Sequence, residues 1–215
     1  MATGTLKAVE PAPVSLTTVP THTVRKAQSV DVGALATTLT RAFDDDPLTM
    51  WLFPNDADRR RKLPRFFRSL LRAALPFGEV YTADDAHCAA IWNPPGTFPL
   101  GWLTNARLGI ATTRLVGRRI SVCARGLLYF DTHHPKERHW YLQMLGTDPE
   151  RQGRGVGSAI MAPVLERCDR QGERVYLESS KERNIPFYLR HGFVVTSEIQ
   201  VPRGPVVWAM WRNPC

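Results

Sequence analysis

The chain has 215 residues, of which 43% are hydrophobic and 22% are charged. This composition is typical of a globular domain, and it excludes a disordered or fibrous protein for most of the chain. The formal net charge of +8 is compatible with a polyanionic partner or a phosphorylated cofactor, and charge alone does not choose between them. No apolar run has the length of a membrane-spanning helix, and the N-terminal region lacks the features of a secretory signal.

The sequence contains four cysteines, at Cys88, Cys123, Cys168 and Cys215. None of them forms a CxxC pair, and none has histidine partners at the spacing of a metal site. We therefore expect free thiols in a cytoplasmic protein, no metal and no membrane partner.

The first half of the sequence has a leader followed by helical and strand patterns. Residues 1–22 contain several prolines and are expected to form a loose leader. Apolar spacing predicts the further elements in the order of helix Val32–Phe43, a helix end at Asp44–Pro47, helix Arg59–Leu75, strands Glu79–Thr82 and Cys88–Trp92, and a helical region at 103–129.

The second half alternates more clearly between strands and helices. The predicted elements are strand Trp140–Leu145, helix Ser158–Gln171, strand Val175–Leu177, helix Ile185–His191, and strands Phe193–Val201 and Val206–Trp211. This alternation predicts a single α/β domain.

A glycine-rich loop runs from Asp148 to Gly157, between a predicted strand and a predicted helix. Its alternating glycines let backbone N–H groups converge at the helix N-terminus, where an anion is favoured. The loop is not a Walker A loop, because no lysine follows Gly157. It is not a dinucleotide GxGxxG loop either, because Ser158 or Ile160 stands where the last glycine should be.

The loop instead contains the pattern Gln152-x-x-Gly155-x-Gly157 directly after Thr147-Asp148-Pro149. This resembles the coenzyme A loop of the GCN5-related N-acetyltransferase (GNAT) superfamily. Further along the chain, Asn184 and the run Tyr188-x-x-x-Gly192-Phe193 resemble the second signature of that family. The segment from His134 to Arg212 is most similar to the puromycin N-acetyltransferase-like members, whereas residues 30–130 resemble them only loosely.

The resemblance implies the GNAT acyl-CoA N-acyltransferase fold, with a mixed central sheet flanked by helices in one domain. That domain would occupy residues 23–215, with an acceptor-side half at about 23–133 and a coenzyme A-binding half at about 134–215. It also implies transfer of an acetyl group from acetyl-CoA to a small-molecule amine, by direct attack through a tetrahedral intermediate. A puromycin-like antibiotic is one such acceptor, which would make the protein a resistance enzyme.

Two other functions stay open beside this one. The first is a protein lysine or N-terminal acetyltransferase, and the second is a non-catalytic regulator that binds acyl-CoA. Nucleic-acid binding rests on the net charge alone and is not expected. Related enzymes are monomers or homodimers, and the sequence does not choose between these states.

The resemblance assigns Tyr188 as the acid that protonates the leaving thiolate, because tyrosine and thiol groups have ordinary pKa values of about 10 and about 8.5. Backbone N–H groups around Leu145 to Thr147 would hold the oxyanion, and Asn184 would either bind the pantetheine arm or cap its helix. The residues expected to contact coenzyme A are Leu145, Gly146, Thr147, Gln152, Gly153, Arg154, Gly155, Val156, Gly157, Ser158 and Asn184.

The general base is left open by the sequence, because no glutamate occupies the strand before the loop, where many relatives carry it. Glu178, at the end of the next strand, is either this base or a structural carboxylate, and a water chain is a further alternative. Asp44 to Asp46 either attract a cationic amine or form a solvated turn. His133 and His134 precede a proline and are expected at the surface.

Overall fold

The computed structural model describes residues 22–83, 85–97, 115 and 117–215. Its strands are β1 (Val24–Lys26), β2 (Val80–Ala83), β3 (Cys88–Asn93), β4 (Trp140–Thr147), β5 (Val175–Ser179), β6 (Val194–Gln200) and β7 (Val206–Arg212). Its helices are α1 (Val32–Ala42), α2 (Pro47–Leu52), α3 (Asp56–Ala74), α4 (Ile120–His133), α5 (Val156–Gln171) and α6 (Ile185–Arg190). The strands form one mixed sheet in the order β1-β2-β3-β4-β5-β7-β6, which confirms the predicted α/β fold.

Helices cover both faces of this sheet and bury its apolar side chains. On one face, Leu39 of α1 and Phe67 of α3 pack with Ile91 of β3 in a single cluster. On the opposite face, Ile160 and Val164 of α5 belong to a second cluster, one helical turn apart. Each fully buried side chain of this size contributes about 1.5–3 kcal/mol to folding, so the two clusters fix the helices to the sheet.

Two short elements were not predicted from the sequence. The Asp46-Pro47 pair starts α2, because the Asp46 carboxylate accepts hydrogen bonds from the N–H groups of Leu48 and Thr49 at 3.0 and 3.1 Å. Proline is well suited to the first position of a helix, so the residues expected to end α1 also begin the next helix. Strand β1 is a three-residue edge strand beside β2, too short to show a periodic pattern.

Part of the sequence-based prediction lies outside the described residues. This holds for residues 1–21 of the predicted leader and for residues 103–114 and 116 of the predicted helical region. The described part of that region contains a turn of 3-10 helix at Gly117–Arg119 and then α4.

Strands β4 and β5 run parallel, whereas the other neighbouring pairs of the described sheet are antiparallel. Their pairing covers Trp140–Leu142 and Val175–Leu177. Beyond Leu142 a β-bulge shifts the register of β4 against β3, with Gln143 as the extra residue. The two strands then diverge, and the bulge resets the side-chain alternation of β4 so that Gly146 faces α1.

Gly146 allows α1 to lie directly against β4. A Cβ atom at this position would be 2.7 Å from Cδ2 of Leu39 and 2.9 Å from Cε2 of Phe43, both closer than van der Waals contact. We expect Gly146→Ala to lower the free energy of unfolding by about 1–3 kcal/mol, measured by urea denaturation. The matched control is Gly33→Ala, because Gly33 lies in α1 with open space around it and should gain about 1 kcal/mol. Equal effects of the two changes would contradict the close packing at Gly146.

Candidate functional site

The divergence of β4 and β5 opens into a cleft of about 340 Å³. Four segments meet there: the end of α1, the end of β4 with its following loop, the start of α5, and α6 with the residues before it. The lining residues are Ala42, Phe43, Leu145, Gly146, Thr147, Arg151, Gln152, Gly153, Gly155, Val156, Gly157, Ser158, Lys181, Arg183, Asn184, Phe187, Tyr188 and Arg190.

The N-terminus of α5 presents free backbone donors to this cleft. Gly153 and Gly155 have φ angles of 75° and 81°, a conformation that favours glycine, and they turn the chain into the helix. Gly155 occupies the N-cap position, and no side chain caps the helix. The first helical hydrogen bond runs from Ala159 N to Gly155 O, so the N–H groups of Val156–Ser158 precede it. Such a helix end is suited to an anion.

Polar contacts hold the loop between β4 and α5 in place. Arg41 of α1 forms ion pairs with Asp148 at 3.2 Å and with Glu150 at 2.6 Å. The Gln152 side chain donates from Nε2 to the carbonyl oxygen of Thr147 at 3.1 Å. These contacts fix the start of the loop to α1 and to the end of β4, so its backbone donors are preorganised.

Four cationic side chains line the cleft: Arg151, Lys181, Arg183 and Arg190. Asp45 accepts hydrogen bonds from Lys181 and Arg183, and thereby joins the turn after α1 to the segment before α6. Burial acts to raise the pKa of Asp45, but these two cations hold it below its ordinary value. The remaining positive charge and the free N–H groups fit the phosphates of a nucleotide-like ligand.

Tyr188 also lines the cleft, and only 8% of its surface is exposed. Burial raises the pKa of its hydroxyl far above the ordinary value, and the negative charge of Asp46 raises it further. Tyr188 therefore stays protonated at neutral pH and is available as a proton donor.

The three aspartates after α1 have internal partners. Asp44 forms an ion pair with Arg59 at 3.3 Å, and Asp45 holds the two cations described above. Asp46 caps α2 and also accepts a hydrogen bond from Ser180. Burial raises the pKa of Asp46, and its hydrogen bonds oppose that shift only in part. The geometry agrees with a structural turn and explains each of these carboxylates without a substrate.

Glu178 does not line the cleft but lies beside the divergence of β4 and β5, one residue past their last pair. Its Oε2 accepts a hydrogen bond from the hydroxyl of Tyr141 at 2.6 Å, and its Oε1 is 3.6 Å from Nδ1 of His134. The pKa of Tyr141 is well above its ordinary value, because the side chain is buried and faces this carboxylate.

The prediction that His134 lies at the surface was wrong, whereas His133 is exposed as predicted. The His134 side chain is only 10% exposed, and its ring packs edge-on against Tyr141 and Tyr176 at centroid distances of 4.8 and 5.3 Å. After α4 the chain turns inward over β4 and β5, and this turn buries the imidazole in an aromatic cluster. The sequence gives no local sign of that turn.

Most of the residues predicted to bind a cofactor lie around the cleft. Arg154 is the exception: it is exposed, and its carbonyl oxygen contacts Nε2 of His22 at 2.8 Å. Asn184 occupies the N-cap position of α6, but its side chain makes no capping hydrogen bond and lines the cleft. Among the residues that sequence analysis missed, Lys181 and Arg183 stand close to Asn184 in the chain, so a search of this segment for cations would have found them.

The sequence matches the acetyltransferase (GNAT) family over residues 66–193, which is more than half of the chain. The chain belongs to the GNAT family. This confirms the resemblance to the GNAT superfamily, and it identifies the protein as an acetyl-CoA-dependent N-acetyltransferase. The matched range contains β4, the glycine-rich loop, α5 and Tyr188, and therefore most of the cleft.

The chain is also similar to individual proteins and solved structures. An uncharacterized N-acetyltransferase of Schizosaccharomyces pombe is 28% identical over 190 residues, which cover 83% of this chain and 77% of that protein. A structure described as histone acetyltransferase HPA2 and related acetyltransferase from Corynebacterium glutamicum is 26% identical, with a TM-score of 0.68, and the match covers 90% of this chain and 97% of that chain. The polyamine N-acetyltransferase of Drosophila melanogaster shares the fold at 17% identity and a TM-score of 0.55, over 90% of this chain and 100% of its own.

Two further findings concern the residues that the structure describes. In this part of the GNAT enzyme no helix is long and apolar enough to cross a membrane. The same residues contain no group of three or more histidine, cysteine or acidic side chains placed to hold a metal ion.

Proposed function

We propose that this GNAT enzyme acetylates the amine of a small molecule, with the acceptor entering from the side of residues 23–133. The observation that carries the proposal is the meeting of three features in one cleft: the uncapped N-terminus of α5, a set of cations, and the buried hydroxyl of Tyr188. Acetyl-CoA supplies the activated acetyl thioester that an amine attacks. The residues of the chain then bind the cofactor and move the protons.

The phosphates of the cofactor fit the loop from Gln152 to Ser158, where the backbone donors converge, with Arg151 of the cleft lining adding positive charge. The pantetheine arm fits along the free margin of β4 from Leu145 to Thr147. Asn184 is suited to bind this arm, because its side chain lines the cleft and does not cap α6. A backbone N–H in the same stretch of β4 would stabilise negative charge on the reacting oxygen.

Tyr188 is placed to protonate the leaving thiolate. Its raised pKa makes it a weaker acid in water than an ordinary tyrosine, but the same exclusion of water raises the pKa of a thiol beside it. The pKa values of the Tyr188 hydroxyl and of the leaving thiol therefore differ less than the raised pKa of Tyr188 alone implies.

Direct transfer, without an acyl-enzyme on cysteine, agrees with the state of the thiols. Burial raises the pKa of Cys88 to about 11 and that of Cys168 to about 12, so neither is a ready nucleophile. In the described part of the chain no cysteine lines the cleft. The described cysteines are free thiols, which a reducing cytoplasm maintains, and we place the enzyme there.

The packing of α2 and α4 against β5 and β7 favours a small acceptor over a polypeptide. Tyr129 of α4 packs on the buried Tyr176 and Ala209, and Val122 packs near Trp51 of α2. These helices cover the sheet face on which Glu178 lies and leave less of it open to an extended peptide. A compact amine needs less of this face than a polypeptide does.

Acetylation of a protein amine is the second candidate. Its support is the Corynebacterium glutamicum structure described as a histone acetyltransferase HPA2 and related acetyltransferase, at 26% identity. The two candidates make different predictions for a panel of acceptors.

The deciding experiment measures thiol release from acetyl-CoA with polyamines, arylalkylamines, puromycin-like amines and lysine or N-terminal peptides, with products identified by mass spectrometry. The proposal expects turnover with at least one small amine at a kcat/KM well above that of any peptide. Peptide preference would support the second candidate. The absence of any turnover, together with binding of acetyl-CoA in a thermal-shift titration, would support a non-catalytic regulator.

Glu178→Gln separates the two roles left open for this carboxylate. A base that takes the amine proton contributes about a hundredfold or more, so its loss should lower kcat by that factor. We expect this result, because Glu178 lies where the strands part. The control is Tyr141→Phe, which removes the hydrogen-bond donor but keeps the carboxylate. A fall in thermal stability with unchanged kcat in Glu178→Gln would make the carboxylate structural.

A further inference from the structure

A serine and a histidine are in contact where the glycine-rich loop continues into α5. Ser158, in the first turn of α5, places its Oγ 2.9 Å from Nε2 of His191, the residue that follows α6. Ser158 lines the cleft, and the His191 ring packs edge-on against Phe187, another lining residue. The role inferred here for this pair in ligand binding depends on the coenzyme A site proposed above.

The hydrogens of the pair determine how it can meet an anion. A hydroxyl has one hydrogen, and a phosphate offers only acceptors. If the Ser158 hydroxyl donates to His191, it presents only lone pairs to a phosphate and repels it. If Nε2 of His191 carries a hydrogen and donates it to Oγ, the hydroxyl hydrogen is free to point at the phosphate. Anion binding therefore selects the form of His191 with a hydrogen on Nε2.

The surroundings of His191 favour its neutral form in the free protein. Burial lowers its pKa below the ordinary value, and the charges of Arg190 on α6 and Arg212 on β7 lower it further. Arg212 also donates from Nε to the carbonyl oxygen of His191 at 2.9 Å. The carboxylate that faces this region from α5 is Asp169, and it is bound by Arg212 through both oxygens at 2.7 Å. A phosphate at Ser158 would add negative charge that Asp169 does not supply.

We propose that His191 is a positioning residue of the coenzyme A site: it donates from Nε2 to Ser158, turns the serine hydroxyl toward the diphosphate, and takes up a proton from solvent when the ligand binds. The same residue connects the cofactor to the catalytic helix, because its backbone N–H donates to the carbonyl oxygen of Tyr188 at 2.9 Å. Ligand binding at α5 thus also fixes the end of the helix that carries Tyr188.

The experiment measures binding of 3′-dephospho-coenzyme A by calorimetry from about pH 5.5 to about pH 8.5, in two buffers of different ionisation enthalpy. This probe lacks the 3′-phosphate, whose own second pKa of about 6 would mask a histidine. Wild-type protein should take up protons on binding, and Kd should rise with pH by up to about tenfold per pH unit in the histidine range. At higher pH the dependence should flatten, because His191 is then neutral in both states.

Two substitutions distinguish hydrogen bonding from titration. His191→Gln keeps an N–H donor that cannot titrate, so affinity at high pH should stay within about threefold of wild type while proton uptake disappears. His191→Phe removes the donor as well, and Kd should rise by about three- to tenfold at every pH. Ser158→Ala should weaken binding by a similar factor, with no further loss in the double variant. His133→Gln, at an exposed histidine of α4, is the matched control and should behave as wild type.

The outcomes separate this inference from the proposed function. If wild-type protein binds the probe without proton uptake, or if His191→Gln keeps the pH dependence, the role of His191 is overturned while the cofactor site stands. If wild-type protein binds neither this probe nor acetyl-CoA, the cofactor site itself is overturned. Thermal unfolding of each variant shows whether a change in binding reflects loss of the fold.

Discussion

Tyr188→Phe should lower kcat by about tenfold or more, because it removes the hydroxyl that we propose as the acid for the leaving thiolate and changes little else. The ring keeps its contacts with Phe187 and Phe193, so the dissociation constant of acetyl-CoA should stay within about twofold. Steady-state kinetics at saturating substrates, together with a binding titration, measure the two quantities separately. In the wild type the raised pKa of Tyr188 should keep this hydroxyl protonated beyond the ordinary tyrosine value of about 10.

The matched control for this substitution is Tyr129→Phe on α4, a tyrosine outside the cleft lining. It should leave kcat unchanged. If Tyr188→Phe retains the wild-type kcat under saturation, the acid is another group, and the assignment of Tyr188 is wrong. Equal loss in both variants would point to a general effect on folding instead.

Arg212→Met should have the largest effect on stability. Arg212 lies on β7 with its side chain 6% exposed, and it binds both oxygens of Asp169 on α5 as well as the carbonyl of His191. Methionine keeps the apolar stem but leaves these acceptors without their donor. We expect the free energy of unfolding to fall by about 3 kcal/mol, at the lower end for a broken buried pair because Asp169 is 26% exposed and can be hydrated. Tm should fall by about 6–12 °C.

The loss of stability in Arg212→Met should depend on pH, because the partner of Arg212 is the carboxylate of Asp169. Arg212 lowers the pKa of Asp169 below its ordinary value, so the folded state binds this proton less readily than the unfolded chain does. The stabilisation is therefore complete above the unfolded pKa of about 3.9, and it is lost as pH falls through the lower folded value. Urea denaturation at several pH values should show that the difference in free energy of unfolding between wild type and Arg212→Met becomes smaller in acid.

The surface pair of Arg138 and Glu173 provides the control. Arg138 is 71% exposed, and Arg138→Met should cost less than about 1 kcal/mol. If Arg212→Met is as mild as this control, the Arg212–Asp169 contact contributes little to stability. If the difference in free energy of unfolding between wild type and Arg212→Met instead stays constant into strong acid, the ionised carboxylate of Asp169 is not the source of the stabilisation.

The elements that the sequence predicted well are those whose information is local. The apolar spacing of α1 and α5, and the strands around Trp140 and Val175, are visible within a short window. The glycine-rich loop and the run from Asn184 to Phe193 are also local, and this is why the family was recognisable. Asp46-Pro47 is also a local signal, but it indicates both the end of α1 and the start of α2, and only the end of α1 is predicted from the sequence.

What the sequence did not predict depends on contacts between distant segments. Phe43 joins the lining of the cleft because Gly146 lets α1 lie directly on β4. His134 and Glu178 become neighbours through the turn that follows α4. Such contacts follow from the packing of the sheet, which no single stretch of sequence specifies.

The parallel ladder between β4 and β5 joins two half-sheets through three residue pairs. Past Leu142 the margin of β4 that faces β5 is no longer paired with it, and Leu145–Thr147 line the cleft there. The cofactor that we propose to bind in this gap would connect the two half-sheets and stabilise the folded state. Cofactor supply in the cell should therefore set the resistance of the enzyme to proteolysis as well as its rate of catalysis.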